Sequence, residues 1–228
     1  MKSENRTGSP DERESLSRRS FLKGAGGAAA GSMFARGIAE AEQVAEAEPE
    51  QADAPTLEGN LEVTLQINGE DRVVQVEPRT TLLSALRHRL DPALTGAKQV
   101  CDNGNCGACT VMFDGRPVYS CMQLACLSEG KQITTVEGLG SPDAMSDVQA
   151  AFCEKDALMC GFCTPGFVVA STACLDRYSD ADLDTIREQL AGNLCRCGTY
   201  PHIFEALESV RESRRAAGAM PEKTEEGQ

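Results

Sequence analysis

The sequence predicts an α+β protein in which a small unit of strands around one helix is followed by an all-helical unit. Three observations predict this. Leu61, Val63, Leu65 and Ile67 alternate strictly with polar residues, the period-2 mark of a half-buried strand. Asn68-Gly69 and Asp114-Gly115 each stand between short strand-like runs, where a tight hairpin needs residues that tolerate positive φ. From Ser141 onward the apolar spacing turns helical.

The elements follow in order. After the strand over residues 61–67 and its Asn68-Gly69 turn, Arg72–Val76 returns as the second strand. Thr80 or Thr81 can cap a helix whose Leu82, Leu83, Leu86 and Leu90 share one face, and Pro92 limits it. Beyond a cysteine-rich loop, Thr110–Phe113 and Pro117–Tyr119 flank Asp114-Gly115 as a second hairpin. Met122–Ala125 reads as an apolar helical stretch, and Gln132–Val136 supplies the closing strand. Hairpin, helix, hairpin and closing strand describe a unit of the β-grasp type. In the second half, Val148, Ala151 and Phe152 share a helical face, and Phe167–Leu175 is an apolar run just after Pro165-Gly166. Asp180 or Asp182 can cap a helix through Leu190, and Pro201 suits the first residue of a helix to about Arg211. The expected organisation is a signal and acidic disordered linker over 1–58, the β-grasp unit over 59–139, the helical unit over 140–213 and a disordered tail over 214–228.

Composition narrows the chemistry. The 228 residues include 11 cysteines and no tryptophan, and aromatics make up 4%. With so few large apolar rings, bound metal that cross-links cysteines can help hold the core, because its binding free energy is also folding free energy. The net charge of −13 argues against nucleic acid, whose phosphates need a basic face. Much of that charge lies in residues 37–60, which carry seven acids and no Lys or Arg, the composition of a solvated linker.

No run of 18 or more apolar residues predicts a membrane-spanning helix. The N-terminus does carry Ser17-Arg18-Arg19-Ser20-Phe21-Leu22-Lys23 ahead of a mildly apolar Gly/Ala-rich run, Gly24–Ala35. This is similar to a twin-arginine export signal, with Ala39-Glu40-Ala41 and Ala45-Glu46-Ala47 as candidate cleavage sites. The expected destination is the periplasm, reached through the twin-arginine translocase.

The first cysteine group is Cys101-x4-Cys106-x2-Cys109-x11-Cys121, the plant-type [2Fe–2S] spacing. Three close thiolates wrap one loop around a cluster, and a fourth arrives from a separate element. Gly104 and Gly107 let the backbone curve tightly and aim N–H groups at sulfur. Structural zinc prefers duplicated C-x2–4-C pairs, and a disulfide framework sits poorly with an odd cysteine count, so the spacing favours iron–sulfur. The second group is Cys160-x2-Cys163, then Cys195-x-Cys197 after 31 residues. On spacing alone, a zinc site built from the two pairs stays open there.

Longer segments carry a family resemblance. Cys101-Asp102-Asn103-Gly104-Asn105-Cys106-Gly107-Ala108-Cys109-Thr110-Val111, Cys160-Gly161-Phe162-Cys163-Thr164-Pro165-Gly166 and Gly192-Asn193-Leu194-Cys195-Arg196-Cys197-Gly198-Thr199-Tyr200-Pro201 resemble the iron–sulfur subunits of the molybdenum hydroxylases, the xanthine oxidase and aldehyde oxidoreductase family. The resemblance spans roughly residues 61–212. It implies a plant-ferredoxin-like domain and a helical-bundle domain, with a second [2Fe–2S] cluster on Cys160, Cys163, Cys195 and Cys197. It also implies a large molybdopterin-binding catalytic subunit, whose electrons enter at that second cluster and leave from the Cys101 group to an FAD subunit, a cytochrome or another external acceptor. In the family the residue at Cys197 approaches the pterin, and a glutamine that bonds the pterin stands where this chain has Met159, which cannot donate. Val100 likewise replaces a usual glycine.

The remaining reactive residues read as structural. Cys126, Cys153 and Cys174 lie outside both quartets; Cys126 and Cys174 suit small buried apolar positions, with a disulfide among the three as the alternative. His88 falls on the outer face of its helix and His202 near a helix end. Arg196, between two ligands, can offset cluster charge or meet a partner. No Ser/His/Asp arrangement, Walker loop or GxGxxG occurs. The expectation is therefore an electron-transfer subunit whose substrate chemistry happens on another chain. The rivals are a free-standing soluble electron carrier and a zinc-stabilised binding module.

Overall fold

The computed structural model describes residues 57–179 and 181–218. The expected export signal, nearly all of the linker, Asp180 and the last ten residues lie outside the described residues.

The first half is built on a mixed five-stranded sheet. Its strands are β1 (Leu61–Ile67), β2 (Glu70–Val76), β3 (Thr110–Phe113), β4 (Arg116–Tyr119) and β5 (Gln132–Thr134), in the spatial order β2-β1-β5-β3-β4. Both hairpins form where the X-Gly dipeptides stand. Asn68 and Gly69 take φ of 52° and 82°, the paired positive values of a tight hairpin turn. β1 pairs with β2 antiparallel from Leu61 against Val76 to Ile67 against Glu70, and β3 pairs with β4 in the same sense. β5 runs between them, parallel to β1 and antiparallel to β3.

The period-2 pattern decides which sheet face is covered. Val63, Leu65 and Ile67 point inward with Val74 and Val76, while Val73 stays exposed. Over them lies α1 (Leu82–His88), capped by Thr81, whose hydroxyl accepts from Ser84 N–H at 3.2 Å. Leu82, Leu83 and Leu86 are fully buried against the sheet. Each contributes on the order of 2 kcal/mol by leaving water.

Two expected elements of this half differ. The closing strand ends at Thr134 and not at Val136, because Thr135 is captured sideways: its N–H donates to Asn68 Oδ1 at 2.9 Å and its hydroxyl accepts from Asn68 Nδ2 at 3.0 Å. Met122–Ala125 is not a helix. Single 3₁₀ turns at Ser120–Met122 and Ala125–Leu127 flank an extended step, in which Leu124 bridges Thr81 while Gln123 and Ala125 bond the backbone of Leu82 and Thr80.

Among its described residues the second half holds four helices: α2 (Asp147–Glu154), α3 (Thr164–Arg177), α4 (Leu183–Gln189) and α5 (Tyr200–Ala216). Ser146 and Gln149 close a capping box on α2, Asp182 caps α4, and Pro201 sits in the first turn of α5. The helix α3 is buried from Gly166 through Leu175 on all sides. Phe167, Val168, Ala170, Cys174 and Leu175 join the helical core with Phe152, Ile186, Ile203 and Leu207. Val169 and Ala173 pack instead on Met112 of β3, so one helix belongs to both halves. The last helix continues past its expected end near Arg211 to Ala216. Arg214 anchors that extra turn, reaching Asp147 on α2 and Asp176 on α3.

Candidate metal centres

The loop from Cys101 to Cys109 lies between α1 and β3, leading directly into β3, and it curls because Asp102, Gly104 and Gly107 all take positive φ. Its curvature aims backbone donors inward, with Asn105 N–H on Cys101 Sγ at 3.3 Å. Cys121 comes from the 3₁₀ turn after β4. The fully buried Ser120 fixes that turn by donating its hydroxyl to Cys109 C=O at 2.7 Å. The four thiols meet in pairs, Cys101 with Cys106 and Cys109 with Cys121. Burial, with the charges of the Cys109, Cys106, Cys101 and Cys121 thiols adding to it, raises the Tyr119 hydroxyl above its ordinary range.

The second group is assembled from two helix approaches. Cys163 is the residue on which α3 begins, and Cys195 and Cys197 precede α5. Thirty-one residues of α3, α4 and connections separate the pairs in sequence, yet Cys163 meets Cys195 and Cys160 meets Cys197. Cys195 is buried and Cys163 half-buried, while Cys160 and Cys197 open to the surface. Tyr200 steadies the first residue of the C-x-C pair: its hydroxyl accepts from Cys195 N–H at 2.8 Å, and its ring sits edge-on to Phe167.

The electrostatics of the two quartets match. Burial opposes ionisation of Cys101, but the N–H of Asn103, the Cys106 thiol and the N–H of Asn105 outweigh it and hold Cys101 at about 7. Burial pushes Cys121 up to about 12, with the Cys109 thiol adding to it. Cys195 repeats the first pattern, brought down to about 7 against burial by the Thr199 hydroxyl and N–H and the Cys163 thiol. Cys163 repeats the second, raised to about 12 by burial and by Cys195 and Cys160. Each quartet can thus ionise one thiol readily, while Cys106 and Cys121 in the first and Cys163 in the second are raised, chiefly because burial opposes their charge. Coordinated cations remove that conflict.

The donor set fits a two-metal cluster better than one ion. The thiols act on one another in pairs, Cys101 with Cys106, Cys109 with Cys121, Cys163 with Cys195 and Cys160 with Cys197, which would suit two thiols on each iron of a [2Fe–2S] unit. Among the described residues no three His, Cys, Asp or Glu side chains converge on a single-ion position.

The two quartets are joined directly. Leu194 N–H donates to Cys106 C=O at 2.9 Å, so one hydrogen bond separates a first-quartet cysteine from the neighbour of Cys195. Beside it, the buried Asn193 donates to Gly107 C=O at 3.0 Å and to Thr110 Oγ1 at 3.3 Å, and the Tyr119 hydroxyl donates to Gly192 C=O at 3.0 Å. The approach is too close for side chains. A Cβ on Gly166 would lie 2.4 Å from Gly107 O, and one on Gly107 would lie 2.7 Å from Asn193 Cγ.

Other singled-out residues stand apart. All 11 cysteines are free; Cys174 is buried and pushed up to about 11 by burial, Cys126 is half-buried with its thiol on Pro78 C=O, and Cys153 is exposed. His88 is exposed, and His202 bonds Lys155 C=O at the surface. Arg196 is exposed and makes no ion pair with a described residue. Val100 takes no positive φ, so the backbone there accommodates its side chain. Sequence pattern alone gives Ser120, Asn193 and Thr199 no role, although Asn193 and Thr199 lie inside the segments flanking the C-x-C pair.

Comparison with known proteins gives the same picture. Family models for a 2Fe-2S iron-sulfur cluster binding domain match residues 65–140, for a [2Fe-2S] binding domain residues 135–208, and for a twin-arginine translocation pathway signal sequence residues 15–35. The chain is 38% identical over 223 residues to the aldehyde oxidoreductase iron-sulfur-binding subunit PaoA of Escherichia coli (strain K12), covering 91% of this chain and 93% of that one. It is 43% identical over 153 residues to the nicotine 6-hydroxylase small subunit of Paenarthrobacter nicotinovorans, covering 67% and 91%. Its fold matches a chain of quinoline 2-oxidoreductase from Pseudomonas putida 86 with TM-score 0.64 and 40% identity, over 69% of this chain and 97% of that one. The aldehyde oxidoreductase from Desulfovibrio gigas matches with TM-score 0.64 and 32% identity, over 74% and 18%. With two thiol quartets, two iron–sulfur domain matches and near full-length similarity to such subunits, the chain belongs to the iron–sulfur subunits of the molybdenum hydroxylases.

Proposed function

We propose that this chain is the electron-relay subunit of a periplasmic aldehyde-oxidising molybdenum hydroxylase, holding one [2Fe–2S] cluster on Cys101, Cys106, Cys109 and Cys121 and another on Cys160, Cys163, Cys195 and Cys197. The single observation that carries the relay is the Leu194–Cys106 hydrogen bond, which ties the two thiol quartets together across the halves of the fold. Bound [2Fe–2S] clusters supply one-electron redox chemistry. The chain does the rest. Its cysteines hold the iron, its loop N–H groups offset thiolate charge, and the Gly192–Leu194 segment fixes the spacing between quartets. The reading divides the chain into a β-grasp ferredoxin-type domain over 59–139 and a helical-bundle domain over 140–213.

The exposed apolar side chains give the relay its direction. Leu158, Met159, Phe162 and Leu194 are 44–70% exposed around Cys160 and Cys197, a surface that suits a permanent protein partner. The molybdopterin-binding large subunit docks there in this reading. Met159, 70% exposed, would meet it by packing, where a glutamine would hydrogen-bond. Electrons leave from the Cys101 side to an FAD subunit or a cytochrome. The twin-arginine signal sends the folded, cluster-loaded chain through its translocase, and aldehyde is the substrate class by likeness to PaoA.

The test is to purify the tagged chain from the periplasm of its own host. A large subunit and stoichiometric molybdenum should accompany it, and added aldehyde should bleach the cluster absorption. A lone, molybdenum-free chain carrying iron and sulfide would instead make it a free-standing electron carrier.

A further inference from the structure

The donors to the two quartets differ in kind. Backbone N–H groups and neighbouring thiols serve Cys101, Cys106 and Cys121. At Cys195 a hydroxyl enters as well: Thr199 Oγ1 lies 3.0 Å from Cys195 Sγ, with Thr199 N–H on the same sulfur at 3.5 Å. Among the described residues this is the one hydrogen bond to a quartet sulfur from a side chain other than cysteine. Thr199 is 5% exposed, and Cys195 is 8% exposed, so water does not compete for the contact. Either atom can donate while Cys195 is a thiol. Once the sulfur is an iron-bound thiolate it has no proton, and only the hydroxyl can donate.

We propose that the Thr199 hydroxyl sets the reduction potential of the cluster on Cys160, Cys163, Cys195 and Cys197, holding it above the value that backbone donors alone would give. The proposal rests on the eight-ligand reading above. Reduction adds an electron that spreads onto the ligand sulfurs, so a donor fixed on Cys195 Sγ stabilises the reduced form more than the oxidised one. Threonine suits the position because its γ-methyl restricts χ1 and holds the hydroxyl toward the sulfur. A more oxidising second cluster favours taking up electrons from the docked subunit over returning them.

The experiment is an EPR-monitored redox titration of the purified complex carrying Thr199→Val, Thr199→Ala or Thr199→Ser. Val keeps the volume and removes the donor, whereas Ser keeps the donor. The expected result is a lower midpoint potential for the Cys160-group signal in T199V and T199A. T199S should stay close to the wild type, and the Cys101-group signal should be unchanged in all three. An unmoved potential in a loaded T199V or T199A overturns the proposal. Loss of the second cluster from both, with T199S loaded normally, also overturns it, since the hydroxyl would then serve assembly. Failure of the underlying reading looks different: the wild-type complex would lack a second signal altogether.

Discussion

Replacing Asn193 with alanine should weaken the junction between the two halves by about 2 kcal/mol. The magnitude follows from its surroundings. Asn193 is 5% exposed and its amide donates to Gly107 C=O at 3.0 Å and, less closely, to Thr110 Oγ1 at 3.3 Å. Gly107 C=O does not become an orphan, because Thr110 N–H and Oγ1–H also donate to it, at 3.1 and 2.6 Å. The loss is therefore the net worth of a hydrogen bond, about 1 kcal/mol, without the larger penalty of a stranded carbonyl. Removing the rest of a nearly buried side chain adds about 1 kcal/mol more for lost packing. Since unfolding of a cluster-loaded protein is effectively irreversible, the readout is a rate. Unfolding in denaturant, followed together by far-UV circular dichroism and cluster absorbance, should accelerate up to about 30-fold if the junction forms late in folding. A wild-type rate in N193A would refute the view that this segment clasps the first cysteine loop.

Two further outcomes follow. Gly166→Ala places a Cβ 2.4 Å from the backbone oxygen of Gly107, where no side chain can yield, so α3 or the cysteine loop must shift. Destabilisation by at least about 2 kcal/mol and a reduced iron content should result, measured by thermal unfolding and iron assay. Acid stability should depend on Asp147. Its hydrogen bonds from Arg214 hold its carboxyl below the ordinary range, so its contribution is present above the unfolded value of about 3.9 and fades as pH falls through the folded value. Asp147 is 45% exposed and solvent-screened, so Arg214→Gln should cost only about 0.5–1 kcal/mol at neutral pH and flatten the acid limb of a stability-versus-pH curve.

Features with local causes were legible in the sequence. The hairpin turns stood out because Asn-Gly and Asp-Gly accept positive φ, and the β1 alternation marked its buried face. Local pattern could not choose between Thr80 and Thr81 as a cap, since both hydroxyls can serve. Met122–Ala125 misled because its apolar spacing is compatible with a turn of helix. Its actual conformation comes from pairing with Thr80–Leu82, about 40 residues earlier, which no local window contains. The ligand candidates were legible through their spacing. The residues that steady them were not: Asn193 acts on a carbonyl 86 residues away, and Ser120 on one 11 residues back.

The central claim is that each quartet of thiols holds its own two-iron cluster. Low-temperature EPR of the dithionite-reduced protein tests it most directly, alongside Cys101→Ser and Cys163→Ser variants. The account predicts four iron and four acid-labile sulfides per chain and two distinguishable S = 1/2 signals, with a different one lost in each variant. A single signal that survives Cys163→Ser, or one abolished by both substitutions alike, would contradict it.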